Sequence, residues 1–292
     1  MTITANGTEL NLDMEGASLG DVLARADDLL ERAGSVILRL RLDGRDLRAD
    51  DLIGLHDKPA SDYGALEIDS VPAFELRSRA YGALLDFLET LREWSGGTEA
   101  AEPLREAWAA YGRAYSGLLS SDEHSFVDLL GRDIDALLKD RDGDDRRHFS
   151  RHADRLEPIF RERLEEILDP AAAMRSASRL YESERESLRD VPVRLQTGKD
   201  AEAMRSILLF VEIFHKANRI LPELGRAGAD TSSLRIDGKP IPEFYESFNR
   251  VLRQLMEAFE TKDSVLIGDL AEYEIVPRMN AFFDAMTGAL DP

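Results

Sequence analysis

The sequence predicts an α+β protein of two domains: a small β-rich domain over residues 1–71 and a mainly α-helical bundle over residues 72–292. In the first part, short alternating apolar segments surround the pairs Asn6-Gly7 and Asp43-Gly44. Such pairs favour hairpins because both residues tolerate positive φ. From Pro72 onward, apolar residues recur three and four positions apart, which is the spacing of amphipathic helices.

The N-terminal elements follow from these patterns. After the first hairpin, SLGDVLARADDLLERAG has apolar residues at helical spacing and ends at Gly34, which predicts a helix. RLRLDGRDL predicts a strand, a glycine turn and a short strand. A loop then leads to ALEIDSV (65–71), the last predicted strand of the domain.

This order of elements resembles the ubiquitin-like β-grasp. The resemblance implies an embedded interaction or docking domain, with Arg39 and Arg41 as a contact on the sheet face. Arg41 stands at a sheet-face position that is apolar in ubiquitin, so the ubiquitin recognition patch is missing. The chain continues into helices without a diglycine tail, which argues against a conjugated modifier. The alternative is a β-grasp domain that only packs on the helices.

The helical part contains a repeated pattern. Breaks such as Gly96-Gly97, Ser120-Ser121 and RDGDD (141–145) predict about eight helices with short connections. Three helical hairpins are predicted near 104–138, 180–221 and 244–286. In the last two, Tyr-Glu-Ser stands sixteen residues before a Thr. Either these hairpins are true repeats, or they share only the offsets common to helical hairpins.

The second helix of each hairpin follows an aspartate, Asp122, Asp200 or Asp263, which is predicted to cap the helix N-terminus. Apolar residues at matching offsets from these aspartates predict a common core-facing stripe. Four residues after the aspartates stand Phe126, Met204 and Ile267. Seven residues after them stand Leu129, Ile207 and Leu270, and eight residues after them stand Leu130, Leu208 and Ala271.

Composition excludes several classes of function. The formal net charge of −20 argues against nucleic acid and membrane surfaces as partners. It favours a basic partner, and the alternative is an ordinary solvated acidic surface. We expect the partner to be another protein, basic or apolar and helical. The chain has no cysteine, which excludes disulfides and thiolate metal sites. The first residues show no secretory signal, so we expect a cytoplasmic protein. No cofactor is expected.

The segment TKDSVLIGDLAEYEIVPRM (261–279) contains the main candidate site. Asp269, Glu272, Tyr273 and Glu274 lie just before Pro277, which lacks the amide that a regular helix needs. We expect a bend there and a partner-binding surface anchored by Tyr273. The alternative is that these residues are an ordinary solvated helix face.

A metal site is the weaker alternative. Glu212 and His215 have the Glu-x-x-His spacing that di-iron bundles use, although no second copy of the motif is present. DRDGDD (140–145) departs from the EF-hand pattern. The sequence has no phosphate loop, dinucleotide fingerprint or nucleophile elbow.

These observations predict a non-enzymatic bacterial protein–protein interaction or scaffold protein. KDSVLIGDLAEYEIVPRM looks similar to the tails of uncharacterised bacterial helical proteins associated with motility. This resemblance implies an acidic helical chaperone or assembly factor for an export substrate such as a flagellar protein. A metal-dependent helical-bundle enzyme using Glu212 and His215 is the alternative from another class.

Overall fold

The computed structural model describes residues 1–12, 15–94, 98–119, 121–139 and 143–290. It confirms the predicted α+β layout, in which a small N-terminal mixed β-sheet precedes a mainly helical chain. The chain divides into two compact units, Met1–Leu164 and Glu165–Pro292. The boundary expected after residue 71 stays a prediction. None of the helices in the described ranges combines the length and the apolar character needed to cross a bilayer.

The first unit contains the sheet, five complete helices and most of a sixth helix. Its strands are β1 (Thr2–Ala5), β2 (Thr8–Glu9), β3 (Ser35–Leu42), β4 (Arg45–Leu47) and β5 (Ala65–Pro72). Its helices are α1 (Leu19–Arg32), α2 (Ala49–Leu55), α3 (Ala73–Glu93), α4 (Thr98–Tyr115), α5 (Ser121–Lys139) and α6 (Gly143–Leu168), whose last turn belongs to the second unit. Short 3₁₀ turns stand at Ala60–Asp62 and Ser116–Leu118.

The sheet has the strand order β2-β1-β5-β3-β4, with β1 parallel to β5. Its two tight turns are the predicted ones, because Asn6, Gly7, Asp43 and Gly44 all have positive φ. The core of the sheet domain is a cluster of its own, in which Leu19 and Val22 of α1 are buried together with Leu66 of β5. The sheet is therefore compatible with a β-grasp.

Helix α2 departs from the sequence pattern, which predicts a loop between the short strand of RLRLDGRDL and the last strand of the domain. Its start is held by Asp51, whose side chain accepts a hydrogen bond from the backbone amide of Arg48 at 2.9 Å. Asp50 and Asp51 also place negative charge in the first turn, where the helix dipole favours it. The helix has only seven residues, too few for a periodic pattern to stand out.

The second unit contains two helical hairpins joined by a β-ribbon. Its elements are α7 (Pro170–Arg189), α8 (Val191–Gln196), α9 (Asp200–Arg226), β6 (Arg235–Ile236), β7 (Lys239–Pro240), α10 (Ile241–Glu260), α11 (Ser264–Asp269), a π-helical turn (Leu270–Ile275) and α12 (Val276–Leu290). The ribbon turns at Asp237-Gly238, both with positive φ, and an Asp-Gly pair is typical of such turns.

An aromatic cluster forms the centre of this unit. The rings of Phe214 on α9 and Phe248 on α10 meet edge to face, with centroids 4.7 Å apart. The ring centroid of Phe282 on α12 lies 6.1 Å from that of Phe214. One continuous set of buried residues extends from Met174 to Met286, so all the long helices of the unit share a single core.

The two hairpins of this unit share local hydrogen bonds at equivalent positions. The hydroxyls of Ser183 and Ser247 each donate to the carbonyl three residues earlier, both at 2.8 Å. Those of Thr197 and Thr261 each donate to the carbonyl four residues earlier, at 2.8 and 2.9 Å. The residue after each Thr has positive φ. The matching sequence patterns thus correspond to matching backbone geometry.

Two details of the predicted repeat are wrong. Asp200 is not the N-cap, because the carbonyl of Lys199 already accepts from the amides of Glu202 and Ala203 and the helix starts one residue earlier. Met204 and Leu208 do not face the core. The buried stripe of α9 runs through Ala203, Ile207 and Phe210, so Met204 lies one residue, or roughly 100°, away from it.

Some predicted features lie outside the described residues. They are the breaks at Gly96-Gly97 and Ser120, the first part of the acidic segment 140–145, and the capping side chain of Asp122.

Candidate partner-binding surface at a π-helical turn

The candidate segment begins with a capped helix. The Asp263 side chain accepts a hydrogen bond from the Leu266 amide at 3.0 Å, which confirms the predicted cap at the start of α11. Lys262 adopts a positive φ of 55° in the turn before it. Gly268 then packs so closely on α8 that a Cβ atom there would lie 3.0 Å from the Pro192 Cβ.

The chain continues as a π-helical turn because of its apolar spacing. Ile267, Ala271, Ile275 and Met279 are all buried, yet they follow one another at steps of four residues. In an α-helix each such step adds about 40° of rotation, so the stripe would turn away from the core. A wider turn corrects that drift: the Val276 amide donates to the Ala271 carbonyl, five residues back. Pro277 follows without an amide to donate.

A buried tyrosine supports this turn from the core side. The Tyr181 hydroxyl lies 2.7 Å from the Asn280 Oδ1 atom and 3.2 Å from the Val276 carbonyl oxygen. The Tyr181 ring also stacks on Phe283, with centroids 5.0 Å apart. Tyr181 is the Tyr of the first repeated Tyr-Glu-Ser, and its polar contacts depend on the long-range packing of α7 on α12.

Three of the four predicted residues share the exposed side of the turn. Asp269 and Glu272 are exposed, and Tyr273 has 65% of its surface exposed. The charge of the Glu272 carboxylate, a hydrogen bond to that carboxylate and the charge of Asp269 raise the pKa of Tyr273. The phenol of Tyr273 thus lies beside two carboxylates and donates its hydrogen bond to one of them, that of Glu272.

Glu274 has a different role. It is half-buried and forms an ion pair with Arg278, whose guanidinium also donates to the Glu274 carbonyl at 3.0 Å. Glu274 and Arg278 thus stabilise the end of the π-helical turn, and Glu274 stands apart from the exposed trio.

The sheet-face arginines of the first unit are held in ion pairs. Arg39 contacts Asp46 on β4 through two nitrogens, at 2.9 and 3.0 Å. Arg41 contacts Glu67 and Asp69 on β5 at 3.1 and 3.7 Å. Opposite charges on neighbouring strands stabilise the sheet, so this face is a charged ladder rather than an apolar patch.

The metal-site candidates lie on the outer face of α9. Glu212 and His215 are both exposed. Within the ranges that the structure describes, no three His, Cys, Asp or Glu side chains are grouped to hold a metal ion.

Comparisons with known proteins match both ends of the chain. Residues 172–285 match a family described as a domain of unknown function (DUF8042), and residues 1–72 match the TP0873 N-terminal domain. An uncharacterised protein of Treponema pallidum (strain Nichols) is 28% identical over 118 residues, which cover 40% of this chain and 58% of the relative.

The chain therefore spans somewhat more than half of that relative. No solved structure matches. These similarities indicate a protein of bacterial type. The first match ends at residue 72, the last residue of β5, and the second lies within the unit Glu165–Pro292.

Proposed function

We propose that the chain is a non-enzymatic cytoplasmic protein that binds another protein through its C-terminal unit, with the π-helical turn as a contact and Tyr273 as its anchor. The main support for the proposal is Tyr273, which is largely exposed on a turn whose backbone is held by buried contacts with the core. Exposed tyrosines flanked by polar groups are frequent anchors of protein interfaces, and π-helical turns occur often at functional sites.

The rigidity of the site supports this role. Buried Ile275 and Val276, the Tyr181 contacts and the Glu274–Arg278 pair all fix the backbone of the turn. A side chain held on such a backbone loses less conformational entropy when it binds. The carboxylates of Asp269 and Glu272 beside the ring favour a partner with basic groups at the contact.

A more specific form of the proposal is a chaperone or assembly factor for an export substrate such as a flagellar protein. The acidic character of the chain, with a formal net charge of −20, favours a basic client. The binding of such a client weakens as salt screens the charges.

The proposal is tested by affinity capture from the bacterium that encodes the chain. We expect the double variant Tyr273→Ala, Glu272→Lys to lose the partner that the wild-type protein retains. Asp284→Lys, the same charge change at an exposed position of α12 outside the π-helical turn, is expected to retain it. Equal capture by all three proteins would contradict a contact at the π-helical turn.

A further inference from the structure

A second surface of the C-terminal unit lies along the line where α9 and α10 meet. Three large apolar side chains there are exposed: Met204 by 40%, Leu208 by 56% and Met256 by 63%. Val211, Leu252 and Phe259 are half-buried at the edge of the core. These six residues are called the α9–α10 seam.

Aromatic contacts establish that the two helices are antiparallel at this level. Phe210 contacts Phe248, with centroids 6.2 Å apart. Phe214 contacts Phe248 and also Tyr245, at 4.7 and 6.0 Å. Residues nearer the C-terminus of α9 therefore lie beside residues nearer the N-terminus of α10.

The rise of the helix then sets the register of the seam. Measured along the helix axis, Leu208 lies roughly 9 Å before Phe214 on α9. On α10, Leu252 lies roughly 10 Å beyond Tyr245. Met204 and Met256 lie at roughly 15 and 16 Å from the same two reference residues. Leu208 is thus level with Leu252, and Met204 is level with Met256.

Helical periodicity places these residues on facing sides of the two helices. Contact with Phe214 marks the side of Tyr245 as the side of α10 that borders α9. Leu252, Met256 and Phe259 follow Tyr245 at intervals that keep this side. On α9, Met204, Leu208 and Val211 recur at helical spacing beside Phe214. The apolar side chains of the seam therefore stand at matching levels on the bordering sides of α9 and α10.

The charges beside the seam determine which partner fits. Six exposed charged residues flank it, four of them acidic and two basic: Asp200, Glu212, Glu246 and Glu260, with Arg205 and Arg253. The whole C-terminal unit has 16 basic and 23 acidic residues over positions 165–292. A surface of this sign repels nucleic acid and anionic lipid, and it attracts cationic groups.

We propose that the α9–α10 seam binds an amphipathic helix of a partner protein, with apolar residues on one face and Lys or Arg along its flanks. A groove between two helices with apolar anchors is a recurrent site for a third helix. The two methionines suit it, because their flexible thioethers adapt to varied apolar side chains. This inference rests on the proposed function only in that the C-terminal unit is the partner-binding part.

The test uses the full-length protein and a fluorescein-labelled synthetic helix of roughly 18 residues, built from Leu at helical spacing with Lys elsewhere. Fluorescence anisotropy measures its affinity. We expect Met204→Lys and Met256→Lys each to weaken binding by roughly tenfold or more. Leu208→Ser, which leaves the charge unchanged, is expected to weaken it as well.

The matched control is Leu180→Lys. Leu180 is exposed by 41% on α7, outside the seam, and its replacement changes the net charge by the same amount. We expect it to bind within about twofold of the wild type. Circular dichroism confirms that each variant is folded. Equal weakening by Leu180→Lys and Met256→Lys would overturn the seam, because it would show attraction to net charge alone.

Two further results would also overturn the inference. One is equal binding of a peptide with Glu in place of Lys. The other is a wild-type dimer in sedimentation that Met256→Lys dissociates, which would make a second copy of this chain the occupant. If native capture is independent of Tyr273 while the peptide still requires Met256, the seam is supported and only the proposed π-turn contact fails.

Discussion

At the scale of single residues, the two tyrosines at matching positions of the hairpins differ in their hydroxyl contacts. Tyr181 reaches Asn280 and the Val276 carbonyl. The Tyr245 hydroxyl is buried and has no hydrogen-bond partner among the described residues. The hydroxyl of Tyr181 therefore contributes hydrogen bonds to the folded state, whereas Tyr245 contributes mainly an aromatic ring to the core.

This difference gives a matched pair of substitutions. Tyr181→Phe removes a buried hydrogen bond and leaves the Val276 and Asn280 acceptors without that donor, so we expect unfolding to become easier by about 1–2 kcal/mol. Tyr245→Phe removes an unpartnered hydroxyl and is expected to be neutral or stabilising. Urea denaturation followed by circular dichroism measures both. A larger loss for Tyr245→Phe than for Tyr181→Phe would contradict the assigned contacts.

The exposed Tyr273 provides a second residue-level prediction. Its pKa is raised mainly by the Glu272 charge, because a nearby carboxylate disfavours the phenolate. Glu272→Gln removes that charge, so the pKa of Tyr273 should fall toward its ordinary value. Asp269→Asn should lower the pKa by less, since the Asp269 charge is a smaller cause. NMR of ring-labelled tyrosine as a function of pH follows the titration. An unchanged pKa in Glu272→Gln would show that the two side chains are not neighbours.

At the scale of secondary-structure elements, the close approach of α8 and α11 sets a steric requirement. A Cβ on Gly268 would lie 3.0 Å from the Cβ and 3.1 Å from the Cα of Pro192, and neither atom can rotate away. Gly268→Ala should therefore force the helices apart and destabilise the protein by about 1–3 kcal/mol.

Gly288 in α12 is the control for this substitution. Among the described residues, no neighbouring atom lies within 4 Å of the place that a Cβ would take there, and alanine favours a helix over glycine by at most about 1 kcal/mol. Thermal unfolding should show a lower midpoint for Gly268→Ala and an unchanged or higher one for Gly288→Ala. Equal midpoints would mean that α8 and α11 are not in contact at this point.

Elements with strong local rules could be predicted from sequence. Asn6-Gly7, Asp43-Gly44 and Asp237-Gly238 all form turns with positive φ, because few other residue pairs adopt that backbone easily. The Asp263 cap is a similar case. Local preference decides these features, whatever packs around them.

Features that depend on packing could not be predicted in the same way. Five consecutive apolar residues, ILLFV (207–211), make most sides of α9 apolar. Periodicity alone therefore could not decide whether Ala203 or Met204 faces the core. Likewise, steps of four residues before Pro277 are compatible with a kinked α-helix. Only the fit of Ile267, Ala271 and Ile275 to the core selects the π-helical turn and thereby exposes Asp269, Glu272 and Tyr273 together.

At the scale of the whole molecule, two groups of residues have separate cores. One cluster draws only on residues between Ile3 and Ile68, and the other only on residues between Met174 and Met286. Because residues 1–71 have a core of their own, their removal should leave a helical protein in which at least residues 165–292 stay folded. Circular dichroism and thermal unfolding of residues 72–292 test this. An insoluble or unfolded product would show that the sheet is needed for the helices to fold.

We propose the π-helical turn as the place where the C-terminal unit binds a protein. The most direct test replaces Tyr273 by the photo-crosslinking amino acid p-benzoylphenylalanine, which keeps an aromatic ring at this position, in the bacterium that encodes the chain, with the same replacement at Asp284 as the control. We predict a discrete crosslinked partner at position 273 and none at position 284. Identical products at both positions, or a captured partner that never crosslinks at 273, would contradict the claim.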